Sequence, residues 1–177
     1  YLDVIFLYIF MRIPIAGEPQ PSQEHDVALI KINTVRSLSK VTMLDNYADV
    51  KPGQTVTVMG YPGVAPEQYV VKKSKDVFNQ RNQVTTVPTT TVTTGNIGRI
   101  IPESSDKNLT YSSFGDAYQL TINATGAGNS GGPMFDDKGN VIGIFFAGKA
   151  DAQGTKISFA VPIKYGLELM GITKVNK

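Results

Sequence analysis

The most specific stretch of this 177-residue sequence is Gly126-Ala127-Gly128-Asn129-Ser130-Gly131-Gly132-Pro133. A serine hydroxyl attacks a carbonyl carbon only when it projects from a tight turn, and the oxyanion that forms needs backbone N–H groups already directed at it. Glycines on both sides of Ser130 permit such a turn and let a substrate approach without a Cβ clash. The stretch predicts a nucleophilic Ser130 whose N–H, with that of Gly128, forms an oxyanion hole. Taken alone, it also fits a glycine-rich turn with an incidental serine.

Outward from this stretch, the hydrophobic pattern is short and β-like almost throughout the chain. Many short apolar runs separated by turn residues indicate an all-β sandwich or barrel. We predict strands over residues 3–13, 26–32, 54–60, 69–73, 83–87, 96–101, 117–122, 141–147 and 156–161.

Three other segments carry local signals. The carboxylates of Asp136–Asn140 resemble part of a calcium loop but lack its glutamate and spacing, so we predict a hairpin turn there. The stretch Thr85–Thr94 fits a low-complexity linker or a twisted hairpin, and its β-branched residues favour the hairpin. After Pro162, apolar residues recur at helical spacing as far as Met170, and Gly171 follows. We therefore predict one short C-terminal helix.

The composition argues against several classes of function. With 17 Lys+Arg against 15 Asp+Glu the net charge is +2, and without a long basic run nucleic acid is not an expected partner. The sequence has no cysteine, so disulfides, a cysteine nucleophile and thiolate metal sites are excluded, and no cofactor or metal is expected. The longest apolar stretch, Val4–Met11, is far shorter than the roughly 20 residues of a membrane helix, so no membrane span is expected. It also lacks the features of an intact signal peptide, which indicates a trimmed or processed chain.

The residues around Ser130 resemble the nucleophile motif of trypsin-like serine peptidases. An asparagine directly before the serine, as Asn129 is here, resembles the motif of the bacterial HtrA/Deg and glutamyl-endopeptidase branches. Three more segments resemble that family in its own order. Asp26–Ile32 is similar to the strand with the triad aspartate, Gly60–Gly63 to a segment of the second lobe, and Gly139–Ile144 to the strand after the serine. The resemblance covers about residues 26–170.

This resemblance implies an all-β fold of two packed antiparallel β-barrels, with the active site in the cleft between them. Residues 1–50 would form the remainder of an incomplete N-terminal barrel that carries the triad aspartate. Residues 51–177 would form the C-terminal barrel, which carries the nucleophile and ends in the short helix.

Asp26 is the candidate for the buried acid that orients an imidazole and stabilises the imidazolium. The alternative is a carboxylate that caps a strand, but its position 104 residues before Ser130 (130 − 26) favours the catalytic role. Known triads run His-Asp-Ser, Asp-His-Ser or Ser-Asp-His along the chain. Because the only histidine is His25, just the first order remains, and it needs a histidine before Asp26.

His25 is not expected to be that residue, because neighbours on a strand point to opposite faces and His25 would face away from Asp26. We expect His25 at the surface or at a strand edge. The resemblance implies a catalytic histidine upstream of Tyr1, and three explanations stay open: the N-terminal part is missing from this sequence, it was removed, or the protein is an inactive relative. A dyad of the serine with Lys31 or Lys149 is a further alternative, although nothing in the sequence directs either lysine at the serine.

By the same resemblance, the substrate pocket is bounded by Ala124 and by the segment Phe146, Ala147, Gly148. The uncharged Ala124 disfavours a preference for Lys or Arg. Glutamyl endopeptidases have a histidine in the segment where this chain has Phe145, which disfavours an acidic preference. We expect cleavage after aliphatic or medium-sized apolar side chains.

Taken together, the sequence is interpreted as a secreted or envelope-associated bacterial serine endopeptidase that cleaves peptides or proteins through an acyl-enzyme on Ser130. Without a histidine, these 177 residues alone would have little turnover. One alternative is a catalytically dead relative that binds extended peptides by strand addition, against which the intact Gly128 and Ser130 argue. Another is a generic β-barrel interaction domain in which the serine motif is accidental.

Overall fold

The structure is a computed structural model that describes residues 16–35, 37–63, 67–73, 81–104, 115–122, 128–150 and 152–172. The strand predicted over residues 3–13 lies outside the described residues. The strands are β1 (Gln20–Pro21), β2 (Ala28–Leu29), β3 (Thr55–Gly60), β4 (Glu67–Lys72), β5 (Gln83–Pro88), β6 (Thr91–Ile101), β7 (Ala117–Leu120), β8 (Pro133–Phe135), β9 (Val141–Ala150) and β10 (Lys156–Pro162). A 3-10 helix covers Tyr47–Asp49, and the α-helix α1 covers Lys164–Leu169.

Six of the strands form a closed antiparallel barrel in the order β10-β7-β6-β3-β8-β9, and β9 closes it by pairing with β10. Closure leaves the barrel without the unpaired edges of an open sheet. All six strands come from residues 55–162, and with a single short α-helix in the described part of the chain they confirm the all-β class of the trypsin-like fold.

The barrel interior follows from the two-residue period of its strands. On β3, Val56 and Val58 point inward and are 1% and 2% exposed, while Thr55 points to solvent. They meet inward-facing side chains of the other strands in one core cluster, which includes Ile97, Tyr118, Leu120, Ile122, Met134, Ile142, Phe145 and Ala160. Burial of this apolar surface is the main favourable term for the barrel.

The predicted C-terminal helix is confirmed, and it covers one end of the barrel. Ile163 and Leu167 pack against Val141 in a second, smaller apolar cluster. The chain leaves the helix at Gly171, two residues after its last residue, with a φ of +69° that suits glycine. The next N–H, that of Ile172, donates to the carbonyl oxygen of Leu167 at 2.8 Å.

The hairpin predicted over Thr85–Thr94 is wrong, because its two strands do not pair with each other. Both halves are strands, but β5 pairs with β4 in a separate two-stranded sheet, and β6 pairs with β3 and β7 in the barrel. Pro88 ends β5 because proline has no N–H to donate to a further strand pair. The β-branched residues therefore predict strands correctly, but not their partners.

Residues 16–50 hold little regular structure besides β1 and β2, which pair over two residues only. The strand predicted over residues 26–32 is thus limited to Ala28–Leu29, because its partner β1 is also only two residues long. A parallel bridge between Met43 and Val141 ties this segment to the barrel. The assignment of residues 1–50 to an incomplete N-terminal barrel stays a prediction. In the described ranges, every helix is too short or too polar to cross a membrane.

Candidate active site

Ser130 lies in a turn that glycines allow to pack tightly against the end of β3. Gly128 has a φ of +107°, and a Cβ there would overlap the carbonyl oxygen of Tyr61. A Cβ on Gly132 would likewise overlap the carbonyl oxygen of Met59. The Tyr61 N–H donates to the Gly128 carbonyl at 3.2 Å. This close backbone contact therefore requires glycine at positions 128 and 132.

The same turn is joined to β9 by two backbone hydrogen bonds. The Gly131 N–H donates to the Phe145 carbonyl at 2.7 Å, and the Phe145 N–H donates to the Gly132 carbonyl at 2.9 Å. Asn129 is 3% exposed, and its carbonyl accepts from the Gly132 N–H at 2.9 Å. With Asn129 buried, the next side chain, that of Ser130, faces solvent.

The Ser130 hydroxyl donates to the carbonyl oxygen of Phe146 at 3.1 Å. Within the described part of the chain, the N–H groups of Gly128 and Ser130 make no hydrogen bond.

Asp26 lies in the turn of residues 22–27 that joins β1 to β2. The Ser22 N–H donates to the Val27 carbonyl at 2.8 Å, and the Ser22 hydroxyl accepts from the His25 N–H at 3.1 Å. Asp26 is exposed, which corrects the expectation of a buried acid that opens a strand. The reason is that β2 begins two residues later and its two-residue sheet covers little surface.

A cavity of about 660 Å³ has both Asp26 and Ser130 in its wall, together with Phe146 and mostly apolar side chains. The structure thus brings the predicted acid and nucleophile to one cavity. In the described part of the chain, neither Lys31 nor Lys149 lines this cavity, so the geometry does not favour a serine–lysine dyad.

His25 differs from its sequence-based expectation. Because residues 23–26 form bends and no strand, the alternation rule does not apply, and both His25 and Asp26 line the cavity. The His25 side chain is 15% exposed and therefore half-buried, and it does not lie at the edge of a strand. Its ring stacks on Tyr165, with centroids 3.7 Å apart and planes at 25°, and its Nε2 lies 4.0 Å from a carboxylate oxygen of Glu168.

Of the predicted pocket residues, Ala124 lies outside the described residues, whereas Phe146, Ala147 and Gly148 lie on β9. The pairing of β9 with β8 ends at Ile144, while its pairing with β10 continues to the end of the strand. In the described ranges, the stretch from Phe146 onward is therefore paired on one edge only. Phe145 is buried in the core cluster, whereas Phe146, which lies at a register shift in the β9–β10 pairing, is half-buried.

A charged cluster, which the sequence does not predict, lies beside α1. Lys164 forms an ion pair with Asp116, and its Nζ lies 3.7 Å from the ring centroid of Tyr47. The Asp116 N–H donates to the Tyr165 hydroxyl at 2.7 Å. Burial raises the pKa of Asp116, but hydrogen bonds from Lys164, the Glu103 N–H and Tyr47 outweigh it and hold that pKa below its ordinary value. No motif marks this cluster, because its members are far apart in the sequence.

The barrel and the serine turn define a domain of the trypsin-like peptidase class. Residues 12–144 match the model of the trypsin-like peptidase domain, and the chain belongs to that family. This finding confirms the resemblance on which the sequence interpretation rests.

The relatives of the chain include a Do-like protease and glutamyl endopeptidases. It is 28% identical over 143 residues to "Protease Do-like 5, chloroplastic" of Arabidopsis thaliana. This match covers 79% of this chain and 36% of that protein. It is 29% identical over 133 residues to a glutamyl endopeptidase of Staphylococcus aureus, with coverage of 72% and 30%. The chain thus spans about a third of the length of these relatives.

Among solved structures, the chain is similar to the HtrA-type protease AlgW with a decapeptide. The TM-score is 0.60 at 26% identity, over 87% of this chain and 39% of that one. This likeness supports a peptidase of HtrA type.

Proposed function

We propose that this chain carries the nucleophile and the acid of a serine endopeptidase, with Ser130 forming the acyl-enzyme and Asp26 as the acid of the triad. The observation that carries the proposal is that an exposed serine on a tight glycine turn shares one cavity with Asp26. The family match to a trypsin-like peptidase domain supports it.

The general base in this proposal is a histidine outside these 177 residues. His25 is the only histidine of the sequence. Its ring is stacked on Tyr165, and the Ser130 hydroxyl donates to the Phe146 carbonyl. The imidazole of that histidine would bind between Asp26 and Ser130. It would replace the Phe146 carbonyl as the partner of the Ser130 hydroxyl, and it would shield the exposed carboxylate of Asp26 from water.

The chemistry follows from these positions. The base takes the proton of the Ser130 hydroxyl as its oxygen attacks the scissile carbonyl carbon, and the N–H groups of Gly128 and Ser130 donate to the oxyanion. The protonated base then gives its proton to the leaving amine, which leaves an ester on Ser130 that water hydrolyses. Loss of one oxyanion donor typically costs about 100- to 1,000-fold in rate.

The substrate would bind as an extended strand along β9. The edge of Phe146, Ala147 and Gly148 that lacks a strand partner in the described ranges offers main-chain groups beside Ser130. Peptide binding by strand addition uses such groups for affinity and side-chain pockets for specificity. The decapeptide in the AlgW structure supports a peptide or protein as the substrate class.

The test is labelling of the full-length protein with a fluorophosphonate probe, which esterifies activated serines. We expect labelling and peptide hydrolysis in the wild type, and loss of both in Ser130→Ala. Ser39→Ala, which changes another exposed serine, is the control and should behave as the wild type. Full labelling of Ser130→Ala would refute the proposal.

We also expect cleavage after aliphatic or medium-sized apolar side chains, since Ala124 and Phe145 lack the charge or imidazole that selects Lys, Arg or Glu. Digestion of a peptide library with the full-length protein measures this preference. Dominant cleavage after Arg, Lys or Glu would show that the pocket residues were assigned wrongly, even if Ser130 is the nucleophile.

A peptide-binding module without catalysis is the second candidate, because the β9 edge would serve binding even without a base. Extended peptides would then bind with unchanged affinity to Ser130→Ala, and the wild type would not react with fluorophosphonate. Cleavage by the wild type excludes this candidate.

We further propose that the protein acts outside the cytoplasm of a bacterium. The Staphylococcus aureus relative supports a bacterial source, whereas the Arabidopsis relative is named as chloroplastic. Fractionation of the native organism, followed by immunodetection, tests the location.

A further inference from the structure

The turn that carries Asp26 is held mainly by its own hydrogen bonds. Besides the two Ser22 bonds given above, the Val27 N–H donates to the His25 carbonyl at 2.8 Å. These bonds set the shape of the turn, but they do not fix its position relative to the barrel. The adjoining β1–β2 sheet is only two residues long and adds little.

Besides the contacts of β2 with α1, the His25 side chain connects the turn itself to the helix. Its ring lies on Tyr165 of α1, at a centroid distance of 3.7 Å, and its Nδ1 packs beside Gly115. A Cβ on Gly115 would lie 2.8 Å from both His25 Nδ1 and the Tyr165 hydroxyl oxygen. The absence of a side chain at position 115 therefore lets the two rings meet.

Tyr165 is a firm support for this ring. It is 6% exposed, its hydroxyl accepts from the Asp116 N–H at 2.7 Å, and Lys164 Nζ lies 4.8 Å from its ring centroid. Asp116 is in turn paired with Lys164. Tyr165 is thus fixed from both its hydroxyl and its ring face.

We propose that His25 is a positioning residue, which holds the turn of residues 22–27 on Tyr165 so that the adjacent Asp26 stays at the cavity that contains Ser130. This inference rests on the proposed roles of Asp26 and Ser130. Because His25 and Asp26 are neighbours in one tight turn, a shift of the ring moves the carboxylate with it. Misplacement of a catalytic group by about 1 Å typically costs about 100-fold in rate.

The stacked ring is the larger contact, and the nearby carboxylate is the smaller one. The Glu168 side chain is 54% exposed and 4.0 Å away, and an exposed ion pair of this kind contributes little. An aromatic side chain without charge should therefore replace His25, and a polar side chain without a ring should not.

The experiment compares His25→Phe with His25→Gln in the full-length protein. We expect His25→Gln to lower kcat and the fluorophosphonate labelling rate by about 10- to 100-fold, with KM within about threefold. His25→Phe should stay within about threefold of the wild type in both. Glu168→Gln, which removes only the charge beside the ring, is the matched control and should resemble the wild type.

If His25 is a positioning residue, the loss of kcat in His25→Gln must arise through Asp26. We expect His25→Gln to cause no further loss when Asp26→Asn is already present, because coupled residues are not additive. Faster amide exchange at Val27 in His25→Gln would report the loosened turn independently of activity. If His25→Gln does not fold, His25→Leu, which is apolar and has no ring, takes its place.

The outcomes separate the two proposals. If Ser130→Ala abolishes turnover but His25→Gln matches the wild type, or His25→Phe is as impaired as His25→Gln, the positioning role is wrong and the peptidase assignment stands. If Ser130→Ala keeps its turnover, the peptidase assignment itself fails, whatever the His25 variants do.

Discussion

Gly128 combines a left-handed backbone conformation with a contact to Tyr61, the residue after β3, and the serine two residues later depends on both. Its φ of +107° is strained for any residue with a side chain, and its place against the Tyr61 carbonyl leaves no room for a Cβ. Gly139, in the turn between β8 and β9, has a φ of +79°, but a Cβ there would have nothing within 4 Å. A comparison of Gly128 with Gly139 therefore separates the effect of backbone strain from the effect of steric overlap.

We expect Gly128→Ala to lower the free energy of unfolding by about 2–4 kcal/mol, since it adds an overlap to the backbone strain. The labelling rate of Ser130 should fall by about 100-fold or more, because the displaced N–H no longer serves the oxyanion. Gly139→Ala should cost only about 1 kcal/mol and leave labelling unchanged. Urea unfolding and fluorophosphonate kinetics measure the two effects, and equal labelling of both variants would contradict the prediction.

The surroundings of Ser130 can be predicted from the sequence because the demand for glycine is local and is written in adjacent residues. The surroundings of His25 cannot, because its partner Tyr165 lies 140 residues later (165 − 25). The exposure of Asp26 escapes prediction for a similar reason, since burial depends on the chain that covers a residue and not on the residue type.

At the level of elements, the sequence predicts best where a regular pattern runs for six residues or more. β3, β9, β10 and α1 lie within a few residues of their predicted bounds, because their alternation or helical spacing is complete. β1 and β8 are two and three residues long, which is too short for a period to appear.

Pairing between strands is harder to predict than the strands themselves. β5 and β6 are separated by two residues, which is the spacing of a hairpin, yet they belong to different sheets. The register of the whole barrel determines which strands pair, and in that barrel β6 pairs with β3 over six residues. The Asp136–Asn140 turn is easier to predict, because the Asp136 carboxylate accepts from the Lys138 and Asn140 N–H groups within the turn itself.

At the level of the molecule, the two ends of the described chain meet at the candidate site. The turn with Asp26 lies against α1, and the turn with Ser130 lies between β3 and β9. The ion pair of Asp116 with Lys164 lies under both Tyr165 and Tyr47, so it links the helix to the barrel and to the 3-10 helix. The stability of this junction should therefore depend on pH.

The direction of that dependence follows from the two pKa shifts. The pKa of Asp116 is held below its ordinary 3.8, so its contribution is present above that pH and is lost as the pH falls through the folded pKa. Burial lowers the pKa of Lys164, but the hydrogen bond to Asp116 and the nearby Tyr165 and Asp116 charges raise it above 10.5 overall. Its contribution is therefore present below pH 10.5 and is lost as the pH rises through the folded pKa.

We expect Asp116→Asn to cost about 1–3 kcal/mol of unfolding free energy near pH 7, because Lys164 keeps a partly buried charge without its partner. The difference from the wild type should shrink as the pH is lowered from about 5 to about 1, through the ordinary value of 3.8 and the lower folded pKa, since the wild type then loses the same charge. Urea unfolding at a series of pH values measures it, and Lys164→Gln, which removes the other charge, should reduce the same acid-dependent part. A difference between wild type and Asp116→Asn that stays constant over this range would mean that the ion pair does not stabilise the junction.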